Sequence, residues 1–221
     1  MPEEMLERLF VVRKPILEAI MKRVEALGQT PSPHHTLLVG PRGAGKTHLI
    51  SLVYHRSKRL TDTNNSKPLR IAWLPEDPWT LVSYGRLLAA ILERVVPDFD
   101  HQKITEPELD AHIRHTSHED GPILVLAENL DQILDVLGDA GQQKLRNLLQ
   151  TESGILIIAS TTRLDRSLSS HAAPFFGFFD TIRLDPFSPE EAREMLTTLA
   201  REANNSELAK RLSDNESLAR I

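Results

Sequence analysis

"LLVGPRGAGKTHL", residues Leu37 to Leu49, decides how the rest of this 221-residue chain is read. Gly40, Pro41, Arg42, Gly43, Ala44, Gly45, Lys46 and Thr47 fit G-x-x-x-x-G-K-[ST] at every fixed position. An apolar strand pattern, "TLLVG", stands before the loop, and a helix pattern carrying Leu49, Ile50, Leu52 and Val53 follows it. Glycines at 40, 43 and 45 let the backbone curl until successive N–H groups point inward at phosphate oxygens, and the following helix adds its positive N-terminal end. Lys46 is then the point charge for β and γ phosphates, and the Thr47 hydroxyl is the expected magnesium ligand. His48, next in line, is counted with the loop as a nucleotide contact. The cofactors this predicts are ATP and Mg2+.

Outward from the loop, short apolar runs recur at Leu69–Leu74, Pro122–Ala127, Gly154–Ser160 and Phe179–Leu184. Amphipathic stretches lie between them, such as Tyr84, Leu87, Leu88, Ile91 and Val95 at helical spacing. Alternating strand and helix implies parallel pairing with helical crossovers, an α/β layered domain. Upstream, Pro15 opens a helix that repeats Ile16, Ile20, Val24 and Leu27 and is expected to end at Gly28. From Ser188 the character changes. Ser188 can cap a helix whose first turn holds Pro189, Glu190 and Glu191, and no further strand pattern follows. The chain therefore divides into a core, residues 1–187, and the start of a helical appendage, residues 188–221, which reads as incomplete.

Composition narrows the function classes. A hydrophobic share of 40% with 26% charged residues is that of a soluble globular protein, and no apolar run reaches the roughly 20 residues a membrane span needs. The acidic start, "MPEEMLERLF", lacks the pattern of a secretory signal, so a cytoplasmic location is expected. With no cysteine, thiolate nucleophiles and zinc-thiolate sites are excluded. A net charge of -5 argues against direct nucleic-acid binding by this chain unaided.

A phosphate-loop ATPase needs acid at the end of a neighbouring strand. "ILVLAEN" supplies Glu128. Laid on the usual four apolar residues followed by Asp-Glu, Glu128 takes the water-polarising role and Ala127 stands in the aspartate position. Two repairs are open: Glu128 serves the metal shell itself, or Asp131 reaches in from a helix start.

Together these residues resemble AAA+ and the related STAND ATPases (signal-transduction ATPases with numerous domains), in the branch that includes archaeal-type replication initiators. "FVVRKPILEAIMKRV" is similar to that branch's opening helix, with Val12 in place of the usual glycine. "GPRGAGKT" resembles its phosphate loop, "ILVLAENLD" its acidic strand, "ILIIASTTRL" its sensor strand and "IRLDPFSPEEAREML" its entry into the lid. The resemblance implies a P-loop NTPase three-layer αβα sandwich around a five-stranded parallel sheet, with the sensor strand between the phosphate-loop and acidic strands, followed by a small helical lid. It implies an adenine site near Val11, Val12 and Arg13, and a polar sensor at Thr161, with Thr162 as second choice. The implied function is ATP binding with slow magnesium-dependent hydrolysis that drives a conformational or assembly switch. Lys46, Glu128 and Thr161 are its catalytic residues, and Thr47 and Glu128 its magnesium ligands. The alternatives are a switch that binds nucleotide without cutting it, or the ATPase module of a DNA-associated loader. Implied partners are ATP or ADP, a protein partner or further domain, and a homo-oligomer.

Where the family places an arginine finger, this chain reads "PFFGFFD". Phe175, Phe176, Phe178 and Phe179 face either a partner or the sheet edge. His112, His115 and His118 drift around a helix surface and read as a solvated face rather than a metal site. The basic run His55–Leu60 sits where a helix C-terminus favours cations.

Overall fold

The computed structural model describes residues 3–10, 12–61, 67–74, 80–164 and 166–213. Five parallel strands form one sheet: β1 (Thr36–Val39), β2 (Arg70–Trp73), β3 (Ile123–Ala127), β4 (Ile155–Thr161) and β5 (Asp180–Arg183), in the order β2-β3-β4-β1-β5. The sensor-like strand β4 thus lies between the loop-bearing β1 and the acidic β3, as the resemblance implies. Helices α1 (Glu3–Leu9), α2 (Lys14–Glu25), α3 (Lys46–Thr61), α4 (Tyr84–Val95), α5 (Glu106–His115), α6 (Leu130–Thr151) and α7 (Arg166–Ser169) accompany the sheet. Two more, α8 (Pro189–Glu202) and α9 (Ser206–Ser213), follow β5. No helix among the described residues is long and apolar enough to cross a membrane.

All residues of β3 and β4 are buried, because helices cover both faces of a parallel sheet. Alternation along β3 divides its side chains between two cores. Leu124 and Leu126 pack with Leu38, Leu156 and Ile158 on the face of α2 and α3, where Ile20, Leu49, Leu52 and Val53 meet them. Ile123, Val125 and Ala127 pack on the opposite face with Leu88, Leu92, Ile133 and Leu134 from α4 and α6.

Local signals end the elements where sequence places them, with small differences. Regular helix in α2 stops at Glu25, and the chain turns out through Gly28 at φ 79°. Ser188 caps α8 by accepting from the Glu191 N–H at 3.2 Å, while Glu191 accepts from the Ser188 N–H at 2.8 Å. Gly138, at φ 59°, breaks α6 in two, a kink that only a residue tolerant of positive φ can make cheaply. The basic run at the end of α3 serves packing: Arg56 donates to Glu7 at 2.7 and 2.9 Å and to Glu18 at 3.0 Å, tying α1 and α2 to α3.

The phenylalanine-rich segment before β5 takes the sheet-edge role. Phe175 is 1% exposed, and Phe178 and Phe179 pack against the core beside it. Phe176 alone of the four lies outward, against His171 with ring centroids 4.1 Å apart. Arg146 on α6 lies over the Phe178 ring at 5.6 Å and donates to the Pro174 carbonyl.

His35, just before β1, is buried under this segment and stacks on Phe178 at 5.0 Å. Its Nδ1 accepts from the Ile157 N–H at 3.1 Å. Burial pushes its pKa down from 6.5 to about 4. The unfolded chain therefore takes up this proton first, and stability falls as pH drops from about 6.5 towards 4, by up to about 3 kcal/mol. Urea unfolding at pH 7.5 and pH 5 is expected to show a steeper loss for the wild type than for His35→Asn, which keeps an acceptor and cannot titrate. Equal losses would remove His35 from the account.

Candidate functional site

Every candidate nucleotide contact that the structure describes lies at the carboxyl end of the sheet, the edge where open α/β sheets bind ligands. β1 runs between β4 and β5, and two bonds fix its exit: Gly40 N–H donates to the Thr161 carbonyl at 3.3 Å, and Leu184 N–H to the Val39 carbonyl at 2.7 Å. A Cβ on Gly40 would stand 2.5 Å from the Leu184 carbonyl oxygen, so only glycine fits there. The loop then turns through Ala44 N–H to the Pro41 carbonyl at 3.2 Å, with Gly43 and Gly45 at φ 79° and 82°. Helix α3 begins at Lys46.

The Lys46 ammonium lies inside the curl, donating to the Gly40 carbonyl at 2.6 Å and the Pro41 carbonyl at 2.9 Å. Burial lowers its pKa, with Glu128 opposing the shift, Arg42 adding to it and Asp131 opposing it. Thr47 donates its hydroxyl to Glu128 Oε2. Glu128 is 6% exposed. These groups line a cleft of about 370 Å³ together with Arg42, Gly43, Gly45, His48 and Asn129, and with Ser160 and Thr162 from the end of β4.

Two placements differ from the sequence reading. Ala127 is not turned towards Thr47: its side chain belongs to the α4–α6 core on the far face, so an acid there would point away from the loop. Glu128, one residue on, has the parity of Leu124 and Leu126 and meets Thr47 directly. Thr161 is fully buried, with its hydroxyl donating to the Arg163 carbonyl at 2.9 Å, and the cleft is lined instead by its neighbours Ser160 and Thr162.

On the side of α1 and α2, Arg13 holds a left-handed backbone at φ 72°. It donates to the carbonyls of Ala44 and Asp185 and lies 4.4 Å over the Phe187 ring. The space that Val12, Arg13, His48, Phe187 and Met195 enclose is only about 30 Å³, room for about one water. Val11 lies outside the described residues. His48 reaches both this space and the cleft, with its Nε2 2.9 Å from the Leu6 carbonyl and its ring 5.4 Å from Phe10. The Arg13 bridge from the loop to the segment after β5 could not be read from sequence, since it joins carbonyls far apart in the chain.

The donor set fits magnesium arriving with a nucleotide, an ion held by one or two carboxylates plus phosphate oxygens and waters. Thr47 and Glu128 supply a hydroxyl and a carboxylate. Asp131, in the first turn of α6, keeps one buried carboxyl oxygen without a hydrogen-bond partner among the described residues. No group of three or more His, Cys, Asp or Glu able to hold a metal occurs among the described residues. A larger hollow of about 540 Å³ near Leu27, Gly28, Pro122 and Gly154 lies at the opposite edge of the sheet, away from the loop.

No protein-family model matches the chain, and no curated protein does. Solved structures do. The Aeropyrum pernix ORC1 protein in complex with DNA is 16% identical with a TM-score of 0.66, over 86% of this chain and 50% of that one. The Aeropyrum pernix ORC2 protein in ADPNP–ADP complexes is 14% identical with a TM-score of 0.68, over 86% and 52%. AMPPCP-bound DnaA from Aquifex aeolicus is 15% identical with a TM-score of 0.53, over 95% and 60%. The chain spans about half the length of the first two. At these identities the likeness is one of fold, and the fold is that of the AAA+ domains of replication initiators.

Proposed function

We propose that this chain binds ATP with magnesium in the cleft beside Lys46, and that nucleotide state sets a conformational or assembly switch. The observation that carries the proposal is the meeting of Lys46, Thr47 and Glu128 at one end of the sheet, on a loop whose glycines take the positive φ a phosphate cradle needs. Two fold neighbours carry nucleotide analogues, ADPNP in Aeropyrum pernix ORC2 and AMPPCP in Aquifex aeolicus DnaA, and this supports it.

On this reading the loop N–H groups and Lys46 neutralise phosphate charge, with Lys46 leaving its own loop carbonyls to do so. Thr47 and Glu128 hold the metal side. Magnesium, held by Thr47 and Glu128, would supply positive charge against the phosphates. Thr162 and Ser160, which line the cleft, are proposed for the contact at the terminal phosphate that sequence gave to Thr161. Adenine enters beside Val12 once Arg13 moves off Phe187, because 30 Å³ does not admit a purine. Since Arg13 also holds the Asp185 carbonyl at the lid entry, that movement links nucleotide occupancy to α8. A protein partner, a further domain or a second copy would read the change. The net charge of -5 supports such partners over nucleic acid.

Hydrolysis is proposed to be slow, below about 1 s⁻¹, the bottom of the range usual for enzymes. Phosphate release from ATP at high protein concentration, with Lys46→Ala as the contamination baseline, tests this. Slow release above that baseline is expected. Turnover of tens per second, or equal release from both proteins, contradicts it.

A further inference from the structure

Resting on the ATP reading above, we infer that Glu128 is the magnesium-side acid of this site and that Asn129 stands where hydrolysis needs a carboxylate, so that the chain holds ATP far longer than it cuts it. The parity of β3 carries the first half. Side chains at 124, 126 and 128 face α3, and those at 123, 125 and 127 face α4 and α6. The Thr47 hydroxyl, the group placed to ligate the ion, already donates to Glu128. A carboxylate bonded to that hydroxyl is on the metal side of the cleft. The metal-side acid that sequence reading finds missing at Ala127 is therefore present one residue later, as Glu128.

The second half follows from the shift. The next residue, Asn129, leaves the strand in the left-handed region at φ 53° and ψ 49°. Non-glycine residues held there concentrate at functional sites. It makes no capping bond to α6, the helix it begins, and it lines the cleft with Glu128, Ser160 and Thr162. Hydrolysis joins a water oxygen to the γ-phosphorus and breaks the bond to the β–γ bridging oxygen, whose electron pair leaves with ADP. The water must lose a proton. A carboxylate beside it takes that proton, and the amide of Asn129 accepts a hydrogen bond without taking one.

Two readouts test the inference. In equilibrium titrations, magnesium is expected to tighten ATP binding to the wild type. Glu128→Gln is expected to lose at least tenfold of that gain while binding ATP in EDTA as well as the wild type or better, since one negative charge is gone from beside the phosphates. In phosphate release, Asn129→Glu is expected to raise turnover at least tenfold, against the roughly 10²–10⁴ that an ideally placed general base supplies. Asn129→Asp keeps a residue tolerant of left-handed backbone, and is the second variant should the glutamate disturb the turn.

A wild type that binds no ATP overturns the nucleotide reading itself. Retained ATP binding with an unchanged magnesium effect in Glu128→Gln overturns this inference alone. So does loss of the magnesium effect in Asp131→Asn instead, or turnover that neither Asn129 variant raises.

Discussion

Lys46→Ala is expected to lower ATP affinity at least 100-fold, about 3 kcal/mol. The ammonium sits inside a loop built to enclose it, within 2.6 and 2.9 Å of the Gly40 and Pro41 carbonyls. Those carbonyls are poor company for phosphate, and Lys46 is the cation that turns the enclosure attractive to it. Burial has already lowered its pKa, so part of its solvation was lost on folding, and on the proposed reading a phosphate would replace what water no longer supplies. Alanine keeps the helix start, because it has the strongest helix propensity. Competition against a fluorescent nucleotide, with circular dichroism to verify folding, reads the change. An affinity within threefold of the wild type would mean that phosphates bind elsewhere.

Gly40→Ala is expected to damage both fold and site, with a loss of stability on the order of 3 kcal/mol. The added Cβ meets the Leu184 carbonyl oxygen at 2.5 Å, Leu184 Cβ at 3.1 Å and Ala44 Cβ at 3.2 Å. The first contact is with backbone, which cannot swing away as a side chain can. Relief requires β1 and β5 to part where Leu184 N–H donates to the Val39 carbonyl, or the loop to lift from the sheet. Either shift moves the loop N–H groups on which the proposed phosphate site depends. Gly43→Ala is the control: nothing lies within 4 Å of its Cβ, and only its φ of 79° resists, at a cost nearer 1 kcal/mol. Thermal unfolding should rank Gly40→Ala well below Gly43→Ala. The reverse order would contradict the close packing of this loop on β5.

The sheet was legible because its central strands β3 and β4 are apolar runs between amphipathic helices, a pattern that a doubly covered parallel sheet imposes. The loop was legible because a phosphate cradle needs glycine, lysine and threonine at fixed spacing, which this chain carries. What sequence left undecided depends on direction. A run such as "ILVLAEN" does not say which of two successive residues faces α3, and a shift of one residue exchanges the faces. That is why the strand pattern leaves open whether Ala127 or Glu128 takes the position facing Thr47, and whether Thr161 or Thr162 faces the cleft at the end of β4. Arg13 is a second kind of case. Its partners are backbone carbonyls at 44 and 185, and carbonyls carry no sequence signature. His35 is a third: nothing in "PSPHHTLL" distinguishes the buried histidine from its exposed neighbour His34, and only the packing of Phe178 over one of them does.

The account turns on whether this cleft takes a nucleoside triphosphate with its ion. The direct measurement is a calorimetric titration of the wild-type chain with ATP, once in magnesium and once in EDTA. The account predicts saturable binding of one ATP per chain, tighter with magnesium than without. Heats that never saturate up to millimolar ATP in either buffer would contradict it.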